Sequence, residues 1–409
     1  MTTSLPLPAA LSGFRLLMSA QFVSGLADNA LLLVAIGRLA AEGGPVWLPP
    51  LLKLAFTLAY VLLAPFVGPL ADRVPKATVM SAANALKAGA CAAMALGAPV
   101  GPCFALAGAG AALYSPAKYG LVTELMPPHR LVAANGWIEV ATVLAILLGT
   151  MLGGALLAWL APATALAGLL ALYGLAALLN LGIPDSGARY PAAPPLACQL
   201  GDFARANARL WRDPLGRVSL ATTTLFWGVG ATLQFLVLRW AEEDLGLTLA
   251  QAAWLQGLSA TGVVVGALLA GRLVPLERAP QVLWLGVPMG LLLLPMPHID
   301  HWLPALPLLA CAGLVAGLFV VPMNALLQHR GATLLSAGRS IAVQNFNENA
   351  SVLLMLAGYA WFSRQDLPLE LLIRGFGLGI ALLMALIALH HRHHYRHHHR
   401  QPHRHKEIA

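Results

Sequence analysis

The chain has 409 residues, of which 58% are hydrophobic and 10% are charged, and its formal net charge is +8. Soluble globular proteins carry about 25% charged residues, so this chain has too few charges to cover a water-facing surface. The composition excludes a water-soluble enzyme and predicts an integral membrane protein.

A membrane-spanning helix needs about 20 consecutive apolar residues, because every backbone amide must be paired within the segment. The first apolar run continues past the length of a cleavable signal peptide, so we expect a membrane helix there. Runs of this kind are centred near Phe22, Tyr60, Ala88, Leu106, Leu144, Leu170, Leu225, Val263, Met289, Leu314, Leu354 and Leu378. The chain is therefore predicted to be an all-α membrane protein with about twelve transmembrane helices.

Arginine positions predict the orientation, because basic residues near the membrane ends stay on the cytoplasmic side. With the N-terminus inside, only Arg38, Arg239, Arg364 and Arg374 fall on outer segments, and the other arginines fall on inner ones. Both termini are therefore expected in the cytoplasm.

Residues 184–215 interrupt the apolar pattern with prolines and arginines and are predicted to be a cytoplasmic linker. We expect an N-terminal six-helix bundle (1–183), this linker (184–215), a C-terminal six-helix bundle (216–390) and a cytoplasmic tail rich in His and Arg (391–409). The second part of the linker, 203–211, fits either an amphipathic helix on the anionic inner leaflet or a flexible tether.

The loop after the second predicted helix carries a motif. It reads Gly68-Pro-Leu-Ala-Asp72-Arg73-Val-Pro-Lys76 and resembles the G-x-x-x-D-R signature of the major facilitator superfamily, whose layout is also six plus six helices. A glycine allows two helices to approach closely, and Asp72 could pair with a basic group or cap a neighbouring helix N-terminus. We predict an inner gate formed by Gly68, Asp72 and Arg73. The alternative is a tight turn with ordinary inner-face basic residues.

Ionisable side chains at mid-membrane cost about 2.5–3.5 kcal/mol, so each one needs a partner or a wet cavity. Six such positions occur: Asp28, Lys53, Lys87, Lys118, Glu139 and Glu348. For Asp28, Lys118, Glu139 and Glu348, a substrate cavity and a structural ion pair both remain open. Lys53 and Lys87 lie near predicted helix ends, where we expect them to extend to the membrane surface.

Polar neighbours single out three of these charges. Ser24 lies one turn before Asp28 on the first helix, which predicts a polar face towards a cavity. Pro116 precedes Lys118 and is expected to break the helix and free backbone carbonyls. Glu348 follows two amides, Gln344 and Asn345, in the most polar segment predicted to lie in the membrane.

Several separate segments, taken together, resemble the bacterial lysophospholipid transporters of the major facilitator superfamily. They are residues 21–29, 68–76, 114–120, 134–139, 225–228, 319–328 and 342–349. The resemblance implies the major facilitator fold and a lysophospholipid substrate such as lysophosphatidylethanolamine or lysophosphatidylglycerol. That substrate would move from the outer to the inner leaflet of the bacterial inner membrane for reacylation, so a reacylating acyltransferase is an expected partner, together with membrane lipid.

The resemblance also implies a substrate site. In it, Asp28 and Glu348 could hold an ammonium group and Lys118 could hold a phosphate. The full set of expected substrate-binding residues is Asp28, Asn29, Lys118, Glu139, Gln234, Asn345 and Glu348.

Two positions depart from the family pattern. Gln234 stands where these transporters carry an arginine, and Arg239 lies about 140° further round the helix and cannot replace it. Asn347 stands where a glycine is typical, and we expect it to affect helix packing beside Glu348.

The C-terminal tail contains nine of the 13 histidines, between His390 and His405. Metal or anionic lipid binding and a disordered basic tail are both open readings. We expect no cofactor and no specific metal site, no nucleic-acid partner, and a monomer.

Two other functions are considered. A proton-coupled major facilitator exporter of a soluble cation or drug would use the same carboxylates. A membrane-embedded acyltransferase would need a His/Asp set, and His129, His298, His301 and His329 lie in loops without one. No Walker motif is present, and we expect a transporter rather than an enzyme.

Overall fold

The computed structural model describes residues 6–43, 48–188, 190, 195–365 and 367–399. The first part of the chain forms six long helices. They are α1 (Leu7–Ala41), α2 (Leu48–Arg73), α3 (Lys76–Ala95), α4 (Val100–Leu125), α5 (Leu131–Trp159) and α6 (Pro162–Leu181).

A shorter helix, α7 (Gln199–Arg212), separates these from a second set. That set comprises α8 (Pro214–Glu243), α9 (Leu249–Leu273), a 3-10 helix (Leu276–Leu285) that continues into α10 (Gly286–Leu291), α11 (Trp302–Leu334), α12 (Ala337–Ser363) and α13 (Leu369–His399). The 276–291 crossing is irregular because Pro280 and Pro288 remove amide donors from it.

Six crossings before α7 and six after it give the predicted twelve-helix architecture. In the described part of the chain, nine segments are long and apolar enough to span a membrane on length and hydropathy alone. The other three crossings are α3, α4 and α12. They contain Lys87, Lys118 and Glu348 respectively, three of the six charges predicted to lie within the membrane.

Both ends of the described chain lie at one end of the bundle. A Cβ on Gly13 of α1 would lie 3.1 Å from the Pro184 ring, and the Arg217 side chain near the start of α8 is 2.9 Å from His390 of α13. We call this end, marked by Gly13, Pro184, Arg217 and His390, the linker end, and the opposite one the far end. Helix α13 continues to His399, so the first residues of the predicted tail are helical; residues 400–409 lie outside the described part.

Arginines at the far end are locally neutralised. Three of the four make a 2.6 Å ion pair with a glutamate four residues away: Arg38 with Glu42, Arg239 with Glu243 and Arg374 with Glu370. Each of these three arginines therefore has a carboxylate partner at the far end.

Helix α7 packs against the rest of the protein, mainly against α12. Ala206 and Leu210 are buried, and the Phe203 ring meets the edge of Phe346 on α12 with centroids 5.3 Å apart. Asp202 forms a 2.9 Å ion pair with Arg339, also on α12. The flexible-tether alternative is therefore wrong for these residues, because their apolar face finds a protein partner.

The departure at Asn347 helps to hold α7. Its amide donates to Asn207 Oδ1 at 2.9 Å, and its Oδ1 accepts from Trp211 Nε1 at 3.2 Å. Asn347 was expected to affect helix packing beside Glu348, but its side chain forms hydrogen bonds with α7 instead.

A second attachment of this region lies just beyond α7. Asp213 accepts two hydrogen bonds from Arg330, at 2.6 and 2.8 Å, and one from the Gly216 amide. Burial raises the pKa of the Asp213 carboxyl, but the bonds from Arg330 and Gly216 outweigh it and leave this pKa below its usual value.

Replacing Asn347 with glycine should loosen α7. Loss of two hydrogen bonds worth about 1 kcal/mol each predicts roughly 30-fold faster amide exchange in residues 199–212, measured by hydrogen–deuterium exchange. Arg209→Gln, which alters an exposed residue of the same helix, is the control and should leave exchange unchanged. Equal exchange in Asn347→Gly and the wild type would contradict this role for Asn347.

Candidate functional site

A cavity of about 460 Å³ lies between the two six-helix sets. Helices from both sets line it, and five of the expected substrate-binding residues are on its wall: Asp28, Asn29, Lys118, Asn345 and Glu348. Residues more than 300 positions apart in the sequence therefore share one polar space, as a site between two moving halves requires.

Two expected residues lie elsewhere. Glu139 is buried in α5, close enough to Lys118 for their charges to interact, but it does not line the cavity. Gln234 is exposed on α8, and its backbone carbonyl accepts from Gln256 Nε2 at 2.7 Å. The missing family arginine thus falls outside the cavity wall in this conformation.

Asp28 is held by a cation and a hydroxyl. Lys87 Nζ lies 2.8 Å from Asp28 Oδ2, and Tyr173 donates to Oδ1 at 2.7 Å. Ser24 accepts from the same ammonium at 3.2 Å and donates to Asn84. The carboxylate is both structurally paired and, with 21% of its side chain exposed, accessible from the cavity.

The expectation that Lys87 would extend to the membrane surface is wrong. Its side chain is 1% exposed and points inward. A buried ammonium without a counter-charge would be costly, and the Asp28 carboxylate offsets that cost. Lys53, by contrast, is exposed near the far end of α2, and it also lines the cavity.

Lys118 lies in the same cavity without a carboxylate in direct contact. Its ammonium sits 4.0 Å from the centre of the Tyr119 ring, and no acidic group among the described residues is within ion-pair distance. The predicted helix break is wrong: α4 continues through Pro116, which is buried among its neighbours. Proline removes only one donor, and packing of this buried segment supports the rest.

Glu348 belongs to an amide network of the second set. Gln344 Nε2 donates to Glu348 Oε1 at 2.8 Å and to Asn324 Oδ1 at 3.0 Å. Asn345 donates to Ser115 on α4 at 2.9 Å, which joins the two sets at the floor of the cavity. No basic group among the described residues forms an ion pair with Glu348, so its carboxylate is available to a cationic ligand.

The Asp72 side chain closes the linker end of the cavity by capping α12. Its carboxylate accepts from the Gly338 amide at 2.8 Å, from the Arg339 amide at 3.2 Å and from the Ser336 hydroxyl. These are among the amides that a helix leaves unpaired at its N-terminus, where negative charge is also favoured. Asp72 Oδ1 also lies 3.8 Å from Lys76 Nζ, so Asp72 fills both of the roles considered for it.

Close backbone contact accompanies this cap. A Cβ on Gly68 would lie 2.8 Å from the Ala342 Cβ, and one on Gly338 would lie 2.7 Å from the Gly68 carbonyl oxygen. Both positions therefore require glycine while α2 and α12 are in contact. Arg73, the third expected gate residue, is exposed at the end of α2.

A second seam joins α5 to α9 and α11. Gly136 would place a Cβ 2.7 Å from the Ala267 carbonyl oxygen, and Gly271 packs similarly against Ala133. Asn135 and Gln328 exchange two amide hydrogen bonds of 2.8 and 2.9 Å. This seam therefore combines close backbone packing with one pair of amide hydrogen bonds.

Sequence reasoning missed Glu124. Its carboxylate lies 2.6 Å from Lys76 Nζ, and it accepts from Ser186 and, at 2.9 Å, from Tyr190. The segment after α6 therefore folds over a buried ion pair beside Asp72. Lys76, four residues after Asp72 in the motif, was the available signal, but its distant partner could not be read from spacing.

A profile of the Major Facilitator Superfamily matches residues 17–356. The chain belongs to this superfamily. It is 42% identical over 372 residues to the lysophospholipid transporter LplT of Salmonella arizonae, covering 90% of this chain and 93% of the relative. It is 41% identical over 384 residues to LplT of Escherichia coli O7:K1, covering 93% and 96%.

Solved structures show the same superfamily fold at low sequence identity. The human organic anion transporter MFSD10 matches with a TM-score of 0.70 and 18% identity over 92% of this chain and 99% of that one. A bacterial homologue of the iron transporter ferroportin gives 0.72 and 14% over 93% and 99%. The fucose transporter FucP gives 0.65 and 17%, also over 93% and 99%.

The contacts between the two sets define the conformation of this superfamily member. The Asp72 cap, the Asn135–Gln328 pair and the Ser115–Asn345 bond all lie towards the linker end. From Ser115 the cavity extends to the exposed Lys53, so it opens towards the far end.

Removing the cap with Asp72→Ala should shift the protein away from this conformation. Loss of a helix cap costs about 1–2 kcal/mol, which predicts a 5- to 30-fold fall in the ratio of closed to open linker ends. Spin-label distances between positions 129 and 333 would measure that ratio. Glu277→Gln, which neutralises an exposed carboxylate outside both the cap and α7, provides the comparison. An unchanged distance distribution in Asp72→Ala would refute the assignment.

The Asp28–Lys87 pair should show strong coupling in stability. Lys87→Met leaves a buried carboxylate and should destabilise the protein by about 3 kcal/mol, whereas adding Asp28→Asn should recover most of that loss. Thermal unfolding of the two single variants and the double variant in detergent measures the effect. Additive losses would show that the two groups do not stabilise each other.

Proposed function

We propose that the chain transports lysophospholipids by alternating access. Its relatives from Salmonella arizonae and Escherichia coli are lysophospholipid transporters. The observation that carries the proposal is one cavity between the halves that presents a carboxylate and an ammonium separately. Glu348 has no basic partner and Lys118 no acidic contact among the described residues, so each is open to a ligand charge.

These charges match a zwitterionic head group. The ammonium of lysophosphatidylethanolamine can approach Glu348 or Asp28, and its phosphate can approach Lys118. Lysophosphatidylglycerol would use the lysine and the amides of Asn345 and Asn29. The volume of about 460 Å³ suits a head group, since ligand pockets span about 300–1,000 Å³.

Aromatic and aliphatic side chains offer a path for the single acyl chain. Phe56, Tyr60, Phe104 and Trp227 line the cavity beside the charges. An acyl chain against these rings keeps its methylenes out of water while the head group is bound. A soluble cation would leave this apolar wall unused.

The proposed direction is from the outer to the inner leaflet of the bacterial inner membrane, followed by reacylation by an acyltransferase. The linker end would face the cytoplasm, with both termini there, because arginines are more numerous at that end than at the far end. We further propose that residues 1–183 and 216–390 move as two bundles about the linker 184–215, and that a monomer suffices because the cavity lies within one chain.

Neutralising the cavity carboxylates should abolish this transport. Asp28→Asn and Glu348→Gln each remove a charge-assisted contact worth about 1.5–3 kcal/mol, so we expect a 10- to 100-fold loss of lysophosphatidylethanolamine uptake into proteoliposomes. Glu370→Gln, a change of an exposed carboxylate at the far end, is the matched control and should transport normally.

Other outcomes of this assay would reject the proposal. Wild-type uptake in both cavity variants would assign these carboxylates to packing. Movement of soluble cations without lysophospholipid would favour the proton-coupled exporter instead.

A further inference from the structure

A second large cavity lies apart from the central one, on the outer surface at the linker end. Its volume is about 800 Å³, and it is lined by α1, the end of α4 and the first half of α5. None of its lining residues belongs to the central cavity. It faces lipid, because Trp137 and Leu144 on its α5 wall are 55% and 41% exposed on a membrane-spanning helix.

The wall is apolar along the membrane. Phe14, Met18 and Phe22 from α1 face Trp137 and Leu144 from α5. Such a groove accommodates an acyl chain, which packs against aromatic and thioether side chains without leaving any polar group unpaired.

Two arginines stand at the linker end of the groove. Arg15 of α1 and Arg130, the N-cap of α5, both line it and are exposed. No acidic residue lines the groove, and among the described residues neither guanidinium has a carboxylate within ion-pair distance. Two other arginines at this end do have carboxylate partners, since Arg330 pairs with Asp213 and Arg339 pairs with Asp202.

The first turn of α5 adds to this positive field. No side chain caps its N-terminus, and Ala133 and Ala134 of that turn line the groove next to Arg130. Anions are favoured at such a position, and here they would meet two guanidinium groups as well.

We propose that this groove, lined by α1 and α5, binds one anionic phospholipid of the linker-end leaflet. One of its two acyl chains lies against Phe14, Met18 and Trp137, and its phosphate lies between Arg15 and Arg130. A zwitterionic lipid binds more weakly because its own ammonium offsets the phosphate charge. Each basic residue near an anionic surface strengthens binding several-fold, so two arginines predict about a 10-fold preference for phosphatidylglycerol over phosphatidylcholine.

Lipid retention by the full chain tests the proposal. Native mass spectrometry of protein purified in detergent, with equal phosphatidylglycerol and phosphatidylcholine added, should show the 10-fold preference. The double variant Arg15→Gln/Arg130→Gln should reduce it to about twofold or less. The matched variant Arg272→Gln/Arg278→Gln removes two exposed arginines from the other set and should keep the preference.

Two outcomes overturn the site. Equal preference in the wild type and in Arg15→Gln/Arg130→Gln excludes the arginines, and equal loss in both double variants shows a diffuse surface charge instead. Ala141→Phe, which fills the groove without changing charge, should lower retention of both lipids at this site. If the arginine variant does not fold, unchanged retention in Ala141→Phe still rejects the groove. Lysophospholipid uptake is measured separately and does not depend on this result.

Discussion

The cost of placing charge in hydrocarbon is the constraint on which this structure depends. It explains why Lys87 of α3, Lys118 of α4 and Glu348 of α12 all turn towards one cavity. It also separates two kinds of charge. Lys87 and Asp28 satisfy each other, with Tyr173 and Ser24 completing the set. Lys118 and Glu348 instead point into the cavity, where a substrate can supply the missing partner.

Closure at the linker end uses a different kind of interaction. One carboxylate, Asp72, satisfies the amides at the start of α12, and the glycines beside it allow the two backbones to touch. Hydrogen bonds and close packing of this kind form and break as a unit when helices separate. A contact with these properties suits a gate, because it is specific when closed and leaves solvated polar groups when open.

Helix α7 connects the linker to this same contact. Asp202 of α7 forms an ion pair with Arg339, whose backbone amide also donates a hydrogen bond to Asp72. Asn347, which is also on α12, forms hydrogen bonds with Asn207 and Trp211 of α7. The second part of the linker, α7, therefore packs beside the contact between α2 and α12. If α2 and α12 separate, α7 either moves together with α12 or loses these contacts. The sequence of the linker would therefore affect the free energy of that separation.

The sequence by itself determined that the chain is an integral membrane protein with twelve transmembrane helices. It also contained the superfamily motif and showed which charged residues lie within the membrane. The length of an apolar run, the distribution of arginines between loops and the free-energy cost of a charge in the membrane are local properties. Each of them can be assessed from the sequence alone. Only the tertiary structure decided which side chains from distant segments contact each other. Lys87 with Asp28, Glu124 with Lys76 and Asn347 with α7 are contacts between distant segments, and spacing along one helix does not encode them. For the same reason, the positions of Glu139, selected as a charge within the membrane, and of Gln234, selected by the family resemblance, could not be predicted relative to the cavity. Those positions depend on how whole helices rotate and pack against all of their neighbours.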